Sequence, residues 1–382
     1  MPYTDDLMDA ARAETGLDDF GDDSFREGLE RLVRSIETEA DFNTLGQQLM
    51  RSRIVGHLSQ RLQIEDWYRR HPEIDDEPIV APLIGLGLPR TGSTALSYIL
   101  AEDPDARPLR LWEALAPCPP PSTVKGHDPR VDAAQQLQDM QREVSPRFAS
   151  MVPMSATGPH ECQDLMALDF KAQYFMAYGY MPSYANWYMN EADLTSTYLY
   201  ERRVLKLLQW GSPAKPWRLK CPNHVLFLPA IDEAFPDARF VATHRDPTEI
   251  VVSLCDLVRE TGAQLNNSVN SKWIGAWNVE WVTVGMQRTL AFRDGGAEKR
   301  FYDIDFRAMQ RDPIGEVRGL YEWLGEPVTE EFESGMKRWW KENAENREQN
   351  VHPDPAEFGI DLDRVRESFA DYTSRMAAWT SH

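Results

Sequence analysis

The spacing of apolar positions divides the chain into two textures. Between Asp22 and Arg70, Phe25, Leu29, Leu32 and Ile36 recur at intervals of three and four among polar neighbours, the period of a helix with one buried face. Ser24 stands where the N-cap of that helix belongs. Residues 1–75 therefore read as a helical N-terminal extension packed on a larger body. The polar, proline-bounded run His71–Pro78 (HPEIDDEP) reads as the linker between them. From Pro78 the pattern changes. PIVAPLIGL is a continuous apolar run, as a strand covered on both faces of a parallel sheet requires. Gly85–Thr94 (GLGLPRTGST) follows as a glycine-bearing turn, and Ala95–Leu100 resumes helical spacing. Trp217–Cys221, Arg239–Thr243 and Arg300–Ile304 repeat the theme of apolar strand, polar turn and helical pattern, and Arg107–Leu111 reads as one more strand. Strands alternating with helices predict an α/β fold over residues 76–382, a central, mainly parallel sheet flanked by helices. Pro117–Pro121 (PCPPP) is a stiff loop, and residues 130–210 form a helical insertion unusually rich in aromatics.

Composition narrows the function classes. Of 382 residues, 41 are Lys or Arg and 61 Asp or Glu, a formal charge of −20, which disfavours a nucleic-acid backbone as partner. At 42% hydrophobic residues the chain has the apolar mass for a sizeable core. Cys118, Cys162, Cys221 and Cys255 form no C-x-x-C pair, and the eight histidines show no H-E-x-x-H pattern. They read as reduced core thiols and as no metal site. MPYTDDLMDA lacks the basic start and apolar core of a signal peptide. The apolar run Ile79–Pro89 falls short of the roughly 20 residues that span a bilayer, so no transmembrane segment is expected and the default location is the cytoplasm.

The turn after the first strand carries the chemistry. A helix N-terminus reached through a glycine turn presents unpaired N–H groups and a partial positive charge, a ready site for phosphate or sulfate. Gly92 lets the backbone approach the anion, Ser93 and Thr94 add hydroxyl donors, and Arg90 adds a fixed charge. A nucleotide-hydrolase loop would carry G-K-[ST], but Ser93 follows Gly92 directly. A dinucleotide fingerprint needs glycine where Arg90 stands.

Pro89-Arg90-Thr91-Gly92-Ser93-Thr94 resembles the 5′-phosphosulfate loop of the sulfotransferases that use PAPS (3′-phosphoadenosine 5′-phosphosulfate), in the arginine form similar to bacterial members and tyrosylprotein sulfotransferases. A second segment strengthens the resemblance. Phe235–Pro247 (FPDARFVATHRDP) ends a strand in Arg245, and Ser253 lies eight residues on, similar to the family's 3′-phosphate site. A strand-end arginine can fork two N–H donors onto a phosphate, and a helix beginning near Pro247 aims its positive end at the same anion.

The resemblance implies a P-loop-like fold and transfer of a sulfuryl group from PAPS to a hydroxyl, leaving PAP, with no metal. Arg90, Thr91, Gly92, Ser93, Thr94, Arg245 and Ser253 then hold the nucleotide. Lys220, at a strand end, resembles the family's lysine on the sulfuryl and bridging oxygens. Arg90 meets charge on the departing phosphate. Glu113, in Leu111-Trp112-Glu113, resembles the glutamate base of bacterial and tyrosylprotein members. The rival base is the pair His160–Glu161, which together with Trp112 is also assigned to the acceptor site. Arg347, near His352 in the tail, resembles the late loop that folds over the nucleotide. The aromatics at 174–188 and the stripe Trp273, Trp277, Trp281 serve either as core or as an apolar acceptor pocket. The acceptor itself, a small molecule, lipid or sugar, is not specified, and a homo-oligomer is left open. Two competing functions fit the same residues: a nucleotide kinase on a similar scaffold, and a non-catalytic protein that binds PAPS or PAP.

Overall fold

The apolar runs form five strands: β1 (Leu83–Gly87), β2 (Arg107–Pro108), β3 (Trp217–Lys220), β4 (Arg239–His244) and β5 (Phe301–Asp305). They pair in the order β2-β3-β1-β4-β5, every pair parallel. The computed structural model describes residues 4–152, 154–344 and 353–380. Side chains of the sheet alternate between two covers. Ile84, Leu86, Leu219 and Phe240 join the large core on one face, whereas Leu83, Val241 and Ile304 pack with Leu96, Ile99 and Leu320 on the other. Burial on both faces explains why β1 and the centre of β4, Phe240–Ala242, are continuously apolar. β2 is shorter than expected. Its chain turns into the helix Leu111–Leu115 because Glu113 folds back to accept the Arg110 N–H at 3.1 Å, a capping interaction that ends the extended segment.

The front end comprises the helices Thr4–Thr15, Phe25–Thr38 and Thr44–Arg70. The single helical stretch read over 22–70 is thus two helices, the second capped by Asn43, which accepts the Gly46 N–H at 3.0 Å. Phe25, Leu29, Leu32 and Ile36 are buried as their spacing predicts, in one core with Phe175, Tyr184 and Trp187 of the aromatic insertion. Ser24 does not cap its helix. Its backbone is already helical, and its hydroxyl donates at 3.0 Å to Asp169, the buried carboxylate that also pairs with Arg61. The 71–78 segment is no loose linker. It contains the 3₁₀ turn Pro72–Asp76 with Ile74 fully buried, and Gln209 ties down Glu77 and Pro78. Among the described residues no helix is long and apolar enough to cross a membrane.

Candidate active site

Parallel strands leave their C-terminal ends on one edge, where the loops after β1, β3 and β4 converge. Register fixes the neighbours: Gly85 of β1 lies opposite Lys220, and Gly87 opposite Thr243. Gly85 has no side chain because Lys220 crosses it; a Cβ there would sit 3.0 Å from the lysine Cγ. After β1 the turn reaches the helix Ser93–Leu100 through Gly92 at φ +89°, a backbone region that glycine enters without a Cβ penalty. Arg90 is also left-handed, at φ +67°, a conformation costly for a residue with a Cβ. Three contacts hold it there. Its Nε donates to Ser253 Oγ at 3.1 Å, its Nη1 to the Met151 carbonyl at 2.7 Å, and its own carbonyl accepts Arg245 Nη1 at 3.0 Å.

The two segments that resembled halves of one nucleotide site are therefore in direct contact. Arg245 ends β4, and Asp246 caps the next helix, Pro247–Ala263, by accepting the Thr248 N–H at 2.8 Å. Arg245 pairs with Glu249 at 2.8 Å. Among the described residues Arg90 has no carboxylate partner. Burial, then the nearby Arg245 charge, push its pKa below the ordinary arginine value. Two close guanidinia, of which only Arg245 has a carboxylate partner, make a field that an anion relieves.

Beside this corner opens a cavity of about 310 Å³, with Arg90, Ser93, Thr94, His160, Glu161 and Lys220 on its lining. Lys220 Nζ lies 2.6 Å from Glu161 Oε1 and 3.4 Å from Thr94 Oγ1, so the lysine bridges the helix N-terminus to the carboxylate. Burial pushes the Glu161 carboxyl up, but Lys220 and the 2.9 Å bond from Gln163 outweigh it, and the net pKa lies below the ordinary value. His160 Nε2 lies 2.7 Å from Asp164 Oδ2. Asp164 is likewise lowered: burial raises it, and the His160 hydrogen bond leads the opposing effects.

Three of the expected site residues have side chains that lie away from the cavity. Glu113 is not on the cavity lining; it is 3% exposed, with one oxygen on Arg107 at 2.8 Å and the other on the Arg110 N–H. Burial raises its pKa, and Arg107 offsets part of the rise. A carboxylate so spent holds the loop instead of facing a hydroxyl. Trp112 is also off the lining; it packs with Ala134 and Ala156 under the Arg130 guanidinium. Thr91 turns inward, donating to the Leu88 carbonyl at 2.7 Å with Thr243 Oγ1 2.6 Å away, so its hydroxyl braces the loop on β4. Arg347 and His352 lie outside the described residues.

The aromatics divide between both uses. Tyr174, Tyr178, Trp277 and Trp281 line the cavity, whereas Phe175, Tyr184 and Tyr188 are buried core. Asp164 could have been found from its position four residues after His160, but no sequence signal marks Arg53, which reaches the cavity from the front end. A separate buried group, Cys162, Glu201 and His224, sets a sulfur, an oxygen and a nitrogen within 4.8 Å of one another. Burial there pushes the thiol up, lifts Glu201 to about 8 and lowers His224 to about 3. All three are uncharged near neutral pH, and a metal ion would have to displace the thiol and carboxyl protons.

A parallel sheet with a glycine turn, a hydroxyl-bearing helix N-terminus and converging cations on its C-terminal edge defines a P-loop-like α/β protein with an edge suited to a phosphate or sulfate. A profile described as "Sulfotransferase family" matches residues 82–330, and the chain belongs to that family: it is a sulfotransferase, of the PAPS-dependent kind. Its structure is similar to sulfotransferase STF9 from Mycobacterium avium, at TM-score 0.91 and 33% identity over 98% of this chain and 97% of that one. It is similar also to sulfotransferase STF1 from Mycobacterium tuberculosis, at TM-score 0.85 and 29% identity over 97% of this chain and 99% of that one. No curated protein matches the sequence significantly.

Proposed function

We propose that the protein binds PAPS at the corner built by Arg90, Arg245 and Ser253 and transfers its sulfuryl group to an acceptor hydroxyl in the adjoining cavity, with Glu161 as base. The observation that carries this reading is Lys220, which touches Thr94 of the anion-binding turn on one side and Glu161 on the other. The Ser93–Leu100 helix N-terminus and Arg90 suit the 5′-phosphosulfate, and Arg245 with Ser253 suits the 3′-phosphate. Glu161 accepts the proton of the acceptor hydroxyl as its oxygen forms a bond to sulfur. The bond from sulfur to the phosphate oxygen breaks with its electron pair going to that oxygen, and Lys220 and Arg90 meet the charge there. The products are a sulfate ester, PAP and a protonated Glu161. Side-chain cations supply the neutralisation in this scheme, so it calls for no divalent ion. Glu161 takes the place first given to Glu113 because only Glu161 lines the cavity and touches Lys220. The test is to incubate the protein with sulfur-labelled PAPS and a cell extract and to separate the products. A labelled ester formed by the wild type and absent with Lys220→Ala is expected; label that never leaves PAPS, from a protein that binds PAP, overturns the catalytic part.

A further inference from the structure

We propose that the acceptor carries an anionic group in addition to its hydroxyl, joined by an apolar or aromatic body, and that Arg53 reads the anion. This rests on the assignment of the cavity to the acceptor. The cavity lining includes two arginines, Arg53 and Arg90. Arg90 faces the proposed phosphosulfate site. Arg53 comes from the Thr44–Arg70 helix and, among the described residues, forms no ion pair, and its buried Nε has no hydrogen-bond partner. What surrounds it is aromatic: the guanidinium lies 4.9 Å from the Tyr178 ring centre and 5.6 Å from that of Tyr174. The carboxylate in its neighbourhood, Asp164, is committed to His160 at 2.7 Å. The most deeply buried guanidinia away from the cavity are matched, Arg61 by Asp169 and Arg293 by Asp303, as the cost of burying an unpaired charge leads one to expect. A cation on the wall of a ligand cavity whose nearby carboxylate, Asp164, is shared with His160 is a specificity element that an anionic ligand completes. The rest of that wall sets Trp277, Trp281, Leu254, Phe148 and Met154 beside the amides Gln138, Gln141 and Gln173, and the apolar part suits an apolar or aromatic body between the hydroxyl and the anion.

The test compares ω-hydroxy fatty acids of several chain lengths with their methyl esters, which keep length and hydroxyl but lose the charge. Binding is measured by equilibrium dialysis in the presence of PAP, so the readout does not depend on turnover. The wild type should bind the acid over the ester by about tenfold or more at the length that spans the cavity, the scale of one charge-assisted contact. Arg53→Gln should bring the ratio near one by weakening the acid, with ester and PAP affinities unchanged, and Arg53→Lys should keep part of the preference. An ester bound as tightly as the acid by the wild type at every length, or no acid bound at any length, overturns the proposal without need of a variant that folds. So does a preference that survives Arg53→Gln, or a PAP affinity that falls with it, which would assign Arg53 to the nucleotide. Wild-type protein that binds no PAP at all would instead overturn the reading of the site on which this inference stands.

Discussion

Replacing Glu161 by glutamine separates the two carboxylates that compete for the role of base. Glutamine keeps the size of the side chain and an oxygen for Lys220, which now lies 2.6 Å from Glu161 Oε1, but it cannot take the acceptor proton. Loss of a positioned general base costs roughly 10²–10⁴-fold in turnover. The effect on the donor should have the opposite sign, because removing the negative charge from Lys220 leaves that cation freer for an anion. PAP affinity and the KM for PAPS should therefore hold or improve while kcat collapses. Folding should lose little, since the glutamate side chain is 29% exposed and its pair is partly wet. Glu113→Gln is the matched control. It weakens a pair to Arg107 whose carboxylate side chain is only 4% exposed, so about 1.5–3 kcal/mol of stability should go while kcat at low temperature stays within about twofold of wild type, the transition-state contacts being untouched. Label transfer from PAPS and thermal unfolding, run on both variants, supply the comparison. If Glu113→Gln abolishes turnover without lowering the melting temperature while Glu161→Gln stays active, the base assignment is wrong. The pH profile adds a check. With its pKa held below the ordinary carboxylate value by Lys220 against the effect of burial, Glu161 is ionised at neutral pH, and the acid limb of kcat should fall below the usual glutamate range.

Glu201 should make the protein less stable as pH rises. Its carboxyl is lifted by burial from 4.5 to about 8 in the folded state, so the native state binds the proton more tightly than the unfolded chain and stability drains between those two values. The loss is about 3 kcal/mol by pH 7, and denaturant midpoints for Glu201→Gln should show a shallower slope across that window; equal slopes would refute the burial argument. Thr91→Val should lower stability by about 1–3 kcal/mol, because the hydroxyl it loses is buried between the Leu88 carbonyl and Thr243. PAP affinity at a temperature where the variant is folded should change less than about threefold, and a larger loss by calorimetry would return Thr91 to the nucleotide site.

The parallel sheet was legible because a strand covered on both faces is predominantly apolar, as 82–88 is throughout, and because 217–221, 239–243 and 300–304 carry Trp217, Leu219, Phe240–Ala242, Phe301 and Ile304 among a few charged residues. The anion turn was legible because backbone, glycine and hydroxyls act locally, within Arg90–Thr94. The pairing of that turn with Arg245 and Ser253 was a longer inference, and the Arg90–Ser253 contact provides its geometry. What the sequence left open depended on where a side chain points. Glu113 and Glu161 are both glutamates at the start of short helical turns; one accepts its own helix's N–H and a buried arginine, the other faces a cavity, and no local spacing distinguishes them. Ser24 and Thr91 carry hydroxyls where caps and anion donors belong, yet each is taken by a distant partner, Asp169 and Thr243. Arg53 could not be read at all, since the Thr44–Arg70 helix meets the cavity only through the tertiary fold.

The proposed chemistry requires the corner formed by Arg90, Arg245 and Ser253 to be a site for adenosine 3′,5′-bisphosphate. Titrating PAP into the wild type and Arg245→Ala by calorimetry, with ATP and Mg²⁺ as the competing ligand, measures this directly. Arg245, at the end of β4 and 21% exposed, holds its fork on Glu249, and a phosphate that draws it away gains a charge-assisted contact, so removing Arg245 should weaken PAP roughly tenfold to a hundredfold, while ATP binds poorly to both proteins. Unchanged PAP affinity in Arg245→Ala, or a wild type that binds ATP with Mg²⁺ and ignores PAP, would contradict the account.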